Sequence, residues 1–177
     1  VGYSEGGYAT MATVKEIEEN YDDIDVTISF PMAGAYDLSG TMVDLMLSEE
    51  EYPDPFYLPF FVLSYIEKYE LGSLDSFFKM EYVEGLPEWF SGDYSGGYIN
   101  DFLPDIPIHI MLDDVIQEFE NDPTFAFKTR LEENDLINWT PQNPMYLFHG
   151  LADESVPVEN TIVTYNHFIE NIITKAK

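Results

Sequence analysis

The stretch Gly2-Tyr3-Ser4-Glu5-Gly6, with Gly7 behind it, decides how the rest of this 177-residue chain is interpreted. It matches the pattern G-x-S-x-G, in which a serine stands on a sharp turn between a strand and a helix. The flanking glycines remove side chains that would otherwise meet the neighbouring backbone, and the Glu5 amide is placed to donate to a developing oxyanion. About 0.06 matches are expected by chance in a chain of this length. The pattern therefore favours a nucleophilic serine at position 4.

The segments before and after the middle of the chain have the alternating helices and strands that are typical of an α/β fold. Residues 5–20 predict a helix, and the alternation of Val26, Ile28 and Phe30 with polar residues predicts a strand that Pro31 and Gly34 end nearby. The apolar run 145–148 is typical of a buried parallel strand, and Pro157 opens a last helix over roughly 158–171. This order of helices and strands predicts a parallel sheet with flanking helices.

The middle of the chain differs, because it is mostly helical and rich in aromatic residues. Residues 52–102 hold 15 of the chain's 28 aromatic side chains. Helices are predicted at 41–47, 56–71, 73–82, 111–120 and 124–134. We therefore predict three segments: a sheet-bearing core at 1–38, a helical segment at 39–141, and a return to the core at 142–177.

Asp153 is the candidate acid. It follows the predicted strand 145–148, at the carboxyl edge of the sheet where α/β active sites collect, and there it would orient a histidine. Its alternative role is to cap the helix that Pro157 opens. Asp37 is the second candidate acid, although an Asx turn over residues 36–40 is its more ordinary role.

No histidine matches the position of a catalytic base well. His149 ends a strand beside Asp153, and we expect it to be buried and to shape the loop by local hydrogen bonds. His109 lies in the helical segment and is expected to be structural or exposed. His167 is a weak candidate base, because the interior of a helix would aim its ring poorly.

Composition excludes several classes of function. The net charge of −27 and the pI near 4.1 oppose binding to phosphate backbones or anionic lipid, while 45% hydrophobic residues suit a folded domain. Without cysteine there is no thiolate nucleophile or zinc–sulfur site. The acidic run 22–25 lacks the glycine and distal glutamate of a calcium loop, and residues 93–97 lack the first glycine of the serine pattern. We expect no metal, no cofactor and no membrane span.

Three groups of residues together resemble the α/β-hydrolase superfamily of serine hydrolases. They are Gly2 to Ala9, Pro31 to Asp37, and His149 to Asp153 with Val156, Pro157, Asn160 and Thr161. The resemblance is nearest to secretory lipase/esterase-like enzymes and more distant to prolyl-oligopeptidase-like enzymes. It implies Ser4 as nucleophile, the Glu5 backbone amide as one oxyanion donor and Asp153 as acid. It also implies a small-molecule or lipid ester substrate and a secreted or periplasmic location.

The resemblance covers both ends of the chain, and the middle matches only in character, as an aromatic helical cap. The family's early strands, its other oxyanion loop and its last strand with the catalytic histidine have no counterpart here. The sequence therefore predicts a partial α/β-hydrolase fold, the C-terminal half of such an enzyme. Missing hydrolase segments or self-association would complete the sheet. Two alternatives to an esterase stay open: a catalytically incomplete module, and an oligopeptidase-type peptidase.

Overall fold

The computed structural model describes residues 1–175, and the side chains of residues 1–171. It divides the chain into two compact units. The core unit comprises residues 1–43 and the chain from residue 134 onward, and the helical unit comprises Asp44–Glu133. The sequence placed these divisions at 38/39 and 141/142. The return to the core unit comes earlier because Leu136, Ile137 and Trp139 are buried in its core.

The elements follow one another along the described chain as two short strands and a series of helices. The strands are β1 (Gly2–Tyr3) and β2 (Pro31–Met32). A π-helical stretch, Leu38–Met42, runs into α2. The α-helices are α1 (Glu5–Asn20), α2 (Val43–Met46), α3 (Tyr57–Tyr69), α4 (Met80–Val83), α5 (Leu86–Trp89), α6 (Gly96–Asn100), α7 (Asp113–Asn121), α8 (Ala126–Glu133) and α9 (Glu159–Lys175).

The sheet of the core unit is parallel. Gly2 pairs with Pro31 and Tyr3 with Met32, while the bridges Ser29–Met145 and Met32–Phe148 place the 145–148 segment on the other side of β2. The carboxyl ends of β1, β2 and the 145–148 segment therefore share one edge.

The predicted strand lies further along the chain than expected: β2 begins at Pro31 and stops before Gly34, and Ser29 forms only an isolated bridge to Met145. The amides of Ser29 and Ala33 donate to the carbonyls of Pro144 and Phe148, at 3.0 and 2.8 Å. Between them Pro31 has no N–H to donate. The ladder to the 145–148 segment is interrupted at that residue, and pairing there is limited to isolated bridges.

One face of this sheet carries the core. Helix α1 confirms the predicted helix 5–20, and α9 confirms the last predicted helix and extends it to residue 175. The buried cluster on this face consists of Met11, Val14, Tyr36, Leu136, Ile137, Trp139 and Phe168. Helices α1 and α9 and the start of the returning chain thus form a single layer over the sheet.

The opposite face is open, and it is strongly apolar. Tyr3, Tyr146 and Phe148 are 66%, 52% and 54% exposed, and the Phe30 ring stacks on Tyr146 and Phe148 at 5.6 and 6.3 Å between centroids. The prediction of a fully buried strand at 145–148 was wrong. Its residues alternate between the core and solvent, because the described chain provides helices on one face only. We call Tyr3, Phe30, Tyr146 and Phe148 the open sheet face.

The helical unit is built around Phe127. The ring of Phe127 contacts those of Tyr65, Phe77 and Phe119, with centroids 5.2 to 6.0 Å apart. Helices α3, α7 and α8 confirm three of the predicted helices. The predicted helix 73–82 is broken in two, because Phe78 pairs with Met111 in an antiparallel bridge. Helices α5 and α6 and the 3-10 turn Pro107–Ile110 were not predicted. No helix in the described part of the chain is both long and apolar enough to cross a membrane.

Candidate active site

Ser4 stands on the turn between β1 and α1, in a strained backbone conformation. Its φ of 57° and ψ of −120° are rare for a residue with a Cβ. The Ser4 amide donates to the Met32 carbonyl at 2.9 Å, and the Ser4 carbonyl accepts the amides of Gly7 and Tyr8 at 2.8 and 3.1 Å. These bonds fix both sides of the residue and hold the strain. The strand, turn and helix that the serine pattern requires are therefore all present.

The glycines of the motif have unequal roles. A Cβ on Gly2 would run into the Gly6 carbonyl and would lie 2.5 Å from Thr10 Oγ1. A Cβ on Gly6 would have no atom within 4 Å, so the prediction that both flanking glycines avoid backbone contacts was wrong for Gly6. Gly7 has that role instead, because its Cβ would run into the Met32 carbonyl and push α1 away from β2.

The Glu5 amide lies at the first position of α1, where the helix dipole is positive. Within the described residues, no backbone carbonyl accepts a hydrogen bond from it. An amide in this position can stabilise an anion beside Ser4. Its role as an oxyanion donor stays a prediction.

Asp153 lies on the loop between the 145–148 segment and α9. Its Oδ1 accepts hydrogen bonds from the amides of Ser155 and Val156, at 3.1 and 2.9 Å, and its side chain is 16% exposed. These amides precede α9, so the carboxylate braces the loop and does not cap the first turn of the helix.

Ser4 and Asp153 follow strands at the same edge of the sheet, with β2 between them. The Ser4 amide is tied to Met32, and the Ala33 amide is tied to Phe148 at 2.8 Å. Neighbouring strands lie about 4.8 Å apart, so the two outer chain ends are separated by about 10 Å. This order places the two candidate residues on either side of a gap that an imidazole can bridge. The catalytic assignment of both residues stays a prediction.

Asp37, the second candidate acid, has a structural role. It is 6% exposed, and its Oδ2 accepts the Thr41 amide at 2.8 Å and the Thr41 hydroxyl at 2.7 Å, which caps the π-helical stretch. The role is structural, as expected from the sequence, but the carboxylate bonds the amide four residues on and not two, so the predicted Asx turn over residues 36–40 is replaced by a helix cap.

Two buried polar residues lie near Asp37: Asp135, which was not singled out in the sequence, and Asn160, which was named only as part of the resemblance. Asp135 accepts the amides of Leu38 and Ser39, at 2.8 and 3.0 Å, and burial raises the pKa of its carboxyl. Asn160, 0% exposed, accepts the Asp37 amide at 3.2 Å and donates to the Pro157 carbonyl at 3.3 Å. The signal for Asp135 was its place before the apolar run Leu136-Ile137. Together the two residues tie the loop after β2 to the returning chain and to α9.

The histidines occupy three different environments. The His149 side chain is 1% exposed, with Nδ1 2.7 Å from Thr161 Oγ1 and Nε2 2.8 Å from the Val156 carbonyl oxygen, which confirms the expected local role. His109 lies in the helical unit, 2.7 Å from a Glu49 carboxylate oxygen. His167 lies half-buried in the middle of α9, and within the described chain no hydrogen bond or ion pair involves it. Its assignment as a weak candidate base stays a prediction.

Other sources of chemistry are not apparent at this edge. Burial raises the pKa of Tyr36 to about 12, so its hydroxyl would not act as a base near neutral pH. Among the described residues no group of three or more His, Asp or Glu side chains could hold a metal ion. A groove of about 370 Å³ lined by residues that include Glu18 and Trp139 lies at the C-terminal end of α1, so it does not belong to the Ser4 site.

Comparison with known proteins gives matches in structure. No protein-family model matches the chain, and no curated protein matches it in sequence. The rice cell wall degrading esterase LipA from Xanthomonas oryzae superposes with a TM-score of 0.87 at 25% identity, over 96% of this chain and 47% of that chain. A protein from Legionella pneumophila described as a hydrolase superposes with a TM-score of 0.84 at 25% identity, over 96% and 46%.

These matches confirm the predicted fold class. The chain has a partial α/β-hydrolase fold and spans about half the length of the hydrolase chains that it matches.

Proposed function

We propose that this chain carries the nucleophile and the acid of a serine hydrolase that cleaves carboxylic esters. The observation that carries the proposal is the backbone of Ser4, a non-glycine residue at φ 57° between a parallel strand and a helix. Strain of this kind collects at functional sites, where the surrounding structure maintains it. Asp153 at the same edge of the sheet, and the likeness to an esterase, support the assignment.

In the proposed reaction Ser4 Oγ attacks the ester carbonyl carbon, and a base takes the hydroxyl proton. The Glu5 amide donates to the oxyanion of the tetrahedral intermediate. The alcohol leaves with a proton returned by the base, and a water then releases the acid from the acyl-serine. Asp153 orients the base and stabilises its cation. His167 is the weak candidate for this base within the chain, and a histidine from a further hydrolase segment is the other candidate.

The substrate class is a small-molecule or lipid ester. The LipA neighbour is described as degrading rice cell wall, so esters of plant cell-wall material are a further class to test. The helical unit is proposed to act as the cap of the enzyme. We also propose that the protein is secreted or periplasmic, which fractionation of the native cells would test.

A fluorophosphonate probe tests the proposed nucleophile. Peptide mapping should find the probe on Ser4, and S4A should remove it. Hydrolysis of p-nitrophenyl acyl esters of increasing chain length would then give the acyl preference. Labelling at a residue other than Ser4, undiminished in S4A, would reject the proposed nucleophile.

Two alternatives make different predictions. An oligopeptidase-type peptidase would turn over aminoacyl or prolyl amides faster than acyl esters. A catalytically incomplete module would leave Ser4 unlabelled in this chain and labelled once further hydrolase segments are present. The second alternative is favoured by one observation: none of the described hydrogen bonds or ion pairs joins a histidine to Ser4.

The open sheet face supports a further part of the proposal, that missing hydrolase segments or self-association complete the sheet. Parallel sheets normally have both faces covered, and exposed apolar patches favour association. Light scattering after size exclusion should therefore show oligomers of this chain, and the pair Y146T/F148T should shift them toward monomer. I162T/Y165T, on an exposed side of α9, provides a control of similar exposure. A wild-type monomer that unfolds cooperatively would contradict this part.

A further inference from the structure

The loop that carries Asp153 is held at its beginning by a histidine with no solvent access. His149 is the first residue after the 145–148 segment, and its side chain is 1% exposed. The ring contacts the end of the loop through the Val156 carbonyl and the first turn of α9 through Thr161, at 2.8 and 2.7 Å. The His149 ring therefore links the beginning of the loop both to its end and to the first turn of α9.

The partners of the ring determine where its proton lies. Nε2 faces two acceptors, the Val156 carbonyl oxygen at 2.8 Å and Asp153 Oδ2 at 3.5 Å. It must therefore carry a hydrogen. Nδ1 faces the Thr161 hydroxyl, which can donate to it. Of the two tautomers, the one with its hydrogen on Nε2 satisfies every group at once, and this assignment follows from the partners.

The same contacts exclude His149 as the base that serves Ser4. Both ring nitrogens are engaged within the loop and α9, and the ring is shielded from solvent. A general base must reach the proton it removes. The ring instead lies beside Oδ2 of Asp153. The other carboxylate oxygen, Oδ1, accepts hydrogen bonds from the amides of Ser155 and Val156.

We propose that His149 is a positioning residue for Asp153. With its hydrogen on Nε2, the ring donates to the Val156 carbonyl and faces Asp153 Oδ2, which holds the carboxylate at the edge of the sheet. Asn160 anchors the far end of the same loop, where it donates to the Pro157 carbonyl at 3.3 Å. The link to catalysis rests on the proposed function, whereas the hydrogen-bond assignment does not.

The first test observes the ring directly in the 177-residue chain. Nitrogen-15 NMR of labelled histidines should show His149 with a protonated Nε2 and an unprotonated Nδ1, and slow exchange of the Nε2 hydrogen. D153N should shift the Nε2 signal of His149 and leave the signals of His109 and His167 in place. A proton on Nδ1, or no response to D153N, would overturn the proposal.

The second test separates positioning from simple packing. H149Q keeps a donor near Nε2 and an acceptor for Thr161, while H149F fills the space without either. For ester hydrolysis we expect H149F to lower kcat up to about 100-fold with KM unchanged, and H149Q to recover most of the loss. Urea unfolding would confirm that both variants are folded. Equal kcat values in the two variants would overturn the positioning role.

The two tests also distinguish the proposal from the proposed function. If the wild-type chain and S4A show the same turnover even when further hydrolase segments are present, the proposed function fails. The NMR test then decides by itself whether His149 holds Asp153.

Discussion

The two glycines that flank Ser4 should respond to alanine in opposite directions. In G2A the new methyl group would run into the Gly6 carbonyl and would lie 2.5 Å from Thr10 Oγ1. A backbone carbonyl cannot rotate away, so β1 or the first turn of α1 must shift. Overpacking of this kind costs about 1–3 kcal/mol.

G6A is the matched control, because Gly6 is the second residue of α1, on the other side of Ser4. Its methyl group has no atom within 4 Å, and alanine is favoured over glycine in a helix by about 0.5–1 kcal/mol. The free energies of unfolding of the two variants should therefore differ by about 1.5–4 kcal/mol, with G6A above the wild-type chain and G2A below it.

Urea unfolding followed by tryptophan fluorescence measures this difference. The chain has two tryptophans, Trp89 in the helical unit and Trp139 in the core of the core unit. In a W89F background the signal comes from Trp139 alone, so the transition reports the unit that contains both glycines. A G2A variant as stable as its parent, or a G6A variant as unstable as G2A, would refute the geometry of the turn.

Two further predictions concern strain at the site and a buried carboxyl. S4G should stabilise the chain by about 1–3 kcal/mol, because glycine adopts the backbone of Ser4 without strain. S4A keeps a Cβ, so its stability should match that of the wild-type chain. Urea midpoints measure both variants, and an equal gain in S4A would contradict the prediction. Burial raises the pKa of Asp135 above its ordinary value of 3.8, so the folded state holds that proton more tightly than the unfolded state. This contribution is fully present below the unfolded pKa and is lost as the pH rises through the folded pKa. The stability of D135N should therefore rise relative to the wild-type chain between pH 4 and pH 7, and a constant difference in urea midpoint over this range would contradict the assignment.

The local parts of the fold could be predicted from the sequence. The bounds of α1 follow from the turn at Ser4 and from a polar stretch that ends at Asn20. The strand–turn–helix at Ser4 and the local bonding of His149 also follow from residue types and spacing. In each case the information lies within a few residues.

The sheet was less predictable, because its details depend on distant partners. Pro31 is expected near the end of a strand, yet it is the first residue of β2, since its missing N–H removes only one hydrogen bond of the ladder. The apolar run 145–148 indicates a buried strand only when helices cover both faces. The described chain provides one covered face, which leaves Tyr146 and Phe148 exposed.

The buried carboxyl groups at the site illustrate the same limit. Asp37 and Asp135 differ little from other acidic residues in the sequence, and 34 such residues are present. Their burial depends on the loop after β2 meeting the returning chain about 97 residues later, where Asp135 accepts the Leu38 amide. No local sequence pattern predicts this long-range contact.

The most direct test of the central claim is the rate at which a fluorophosphonate modifies each serine of the folded 177-residue chain. Oxyanion donors are worth roughly 10²–10³ in rate, so Ser4 should react faster than every other serine even where no base assists it. We expect modification at Ser4 alone, its loss in S4A, and its loss when the chain is unfolded in urea. A folded chain in which Ser4 reacts no faster than the exposed Ser91 or Ser95 would contradict the claim that Ser4 acts as a nucleophile in this chain, and would leave the incomplete-module alternative.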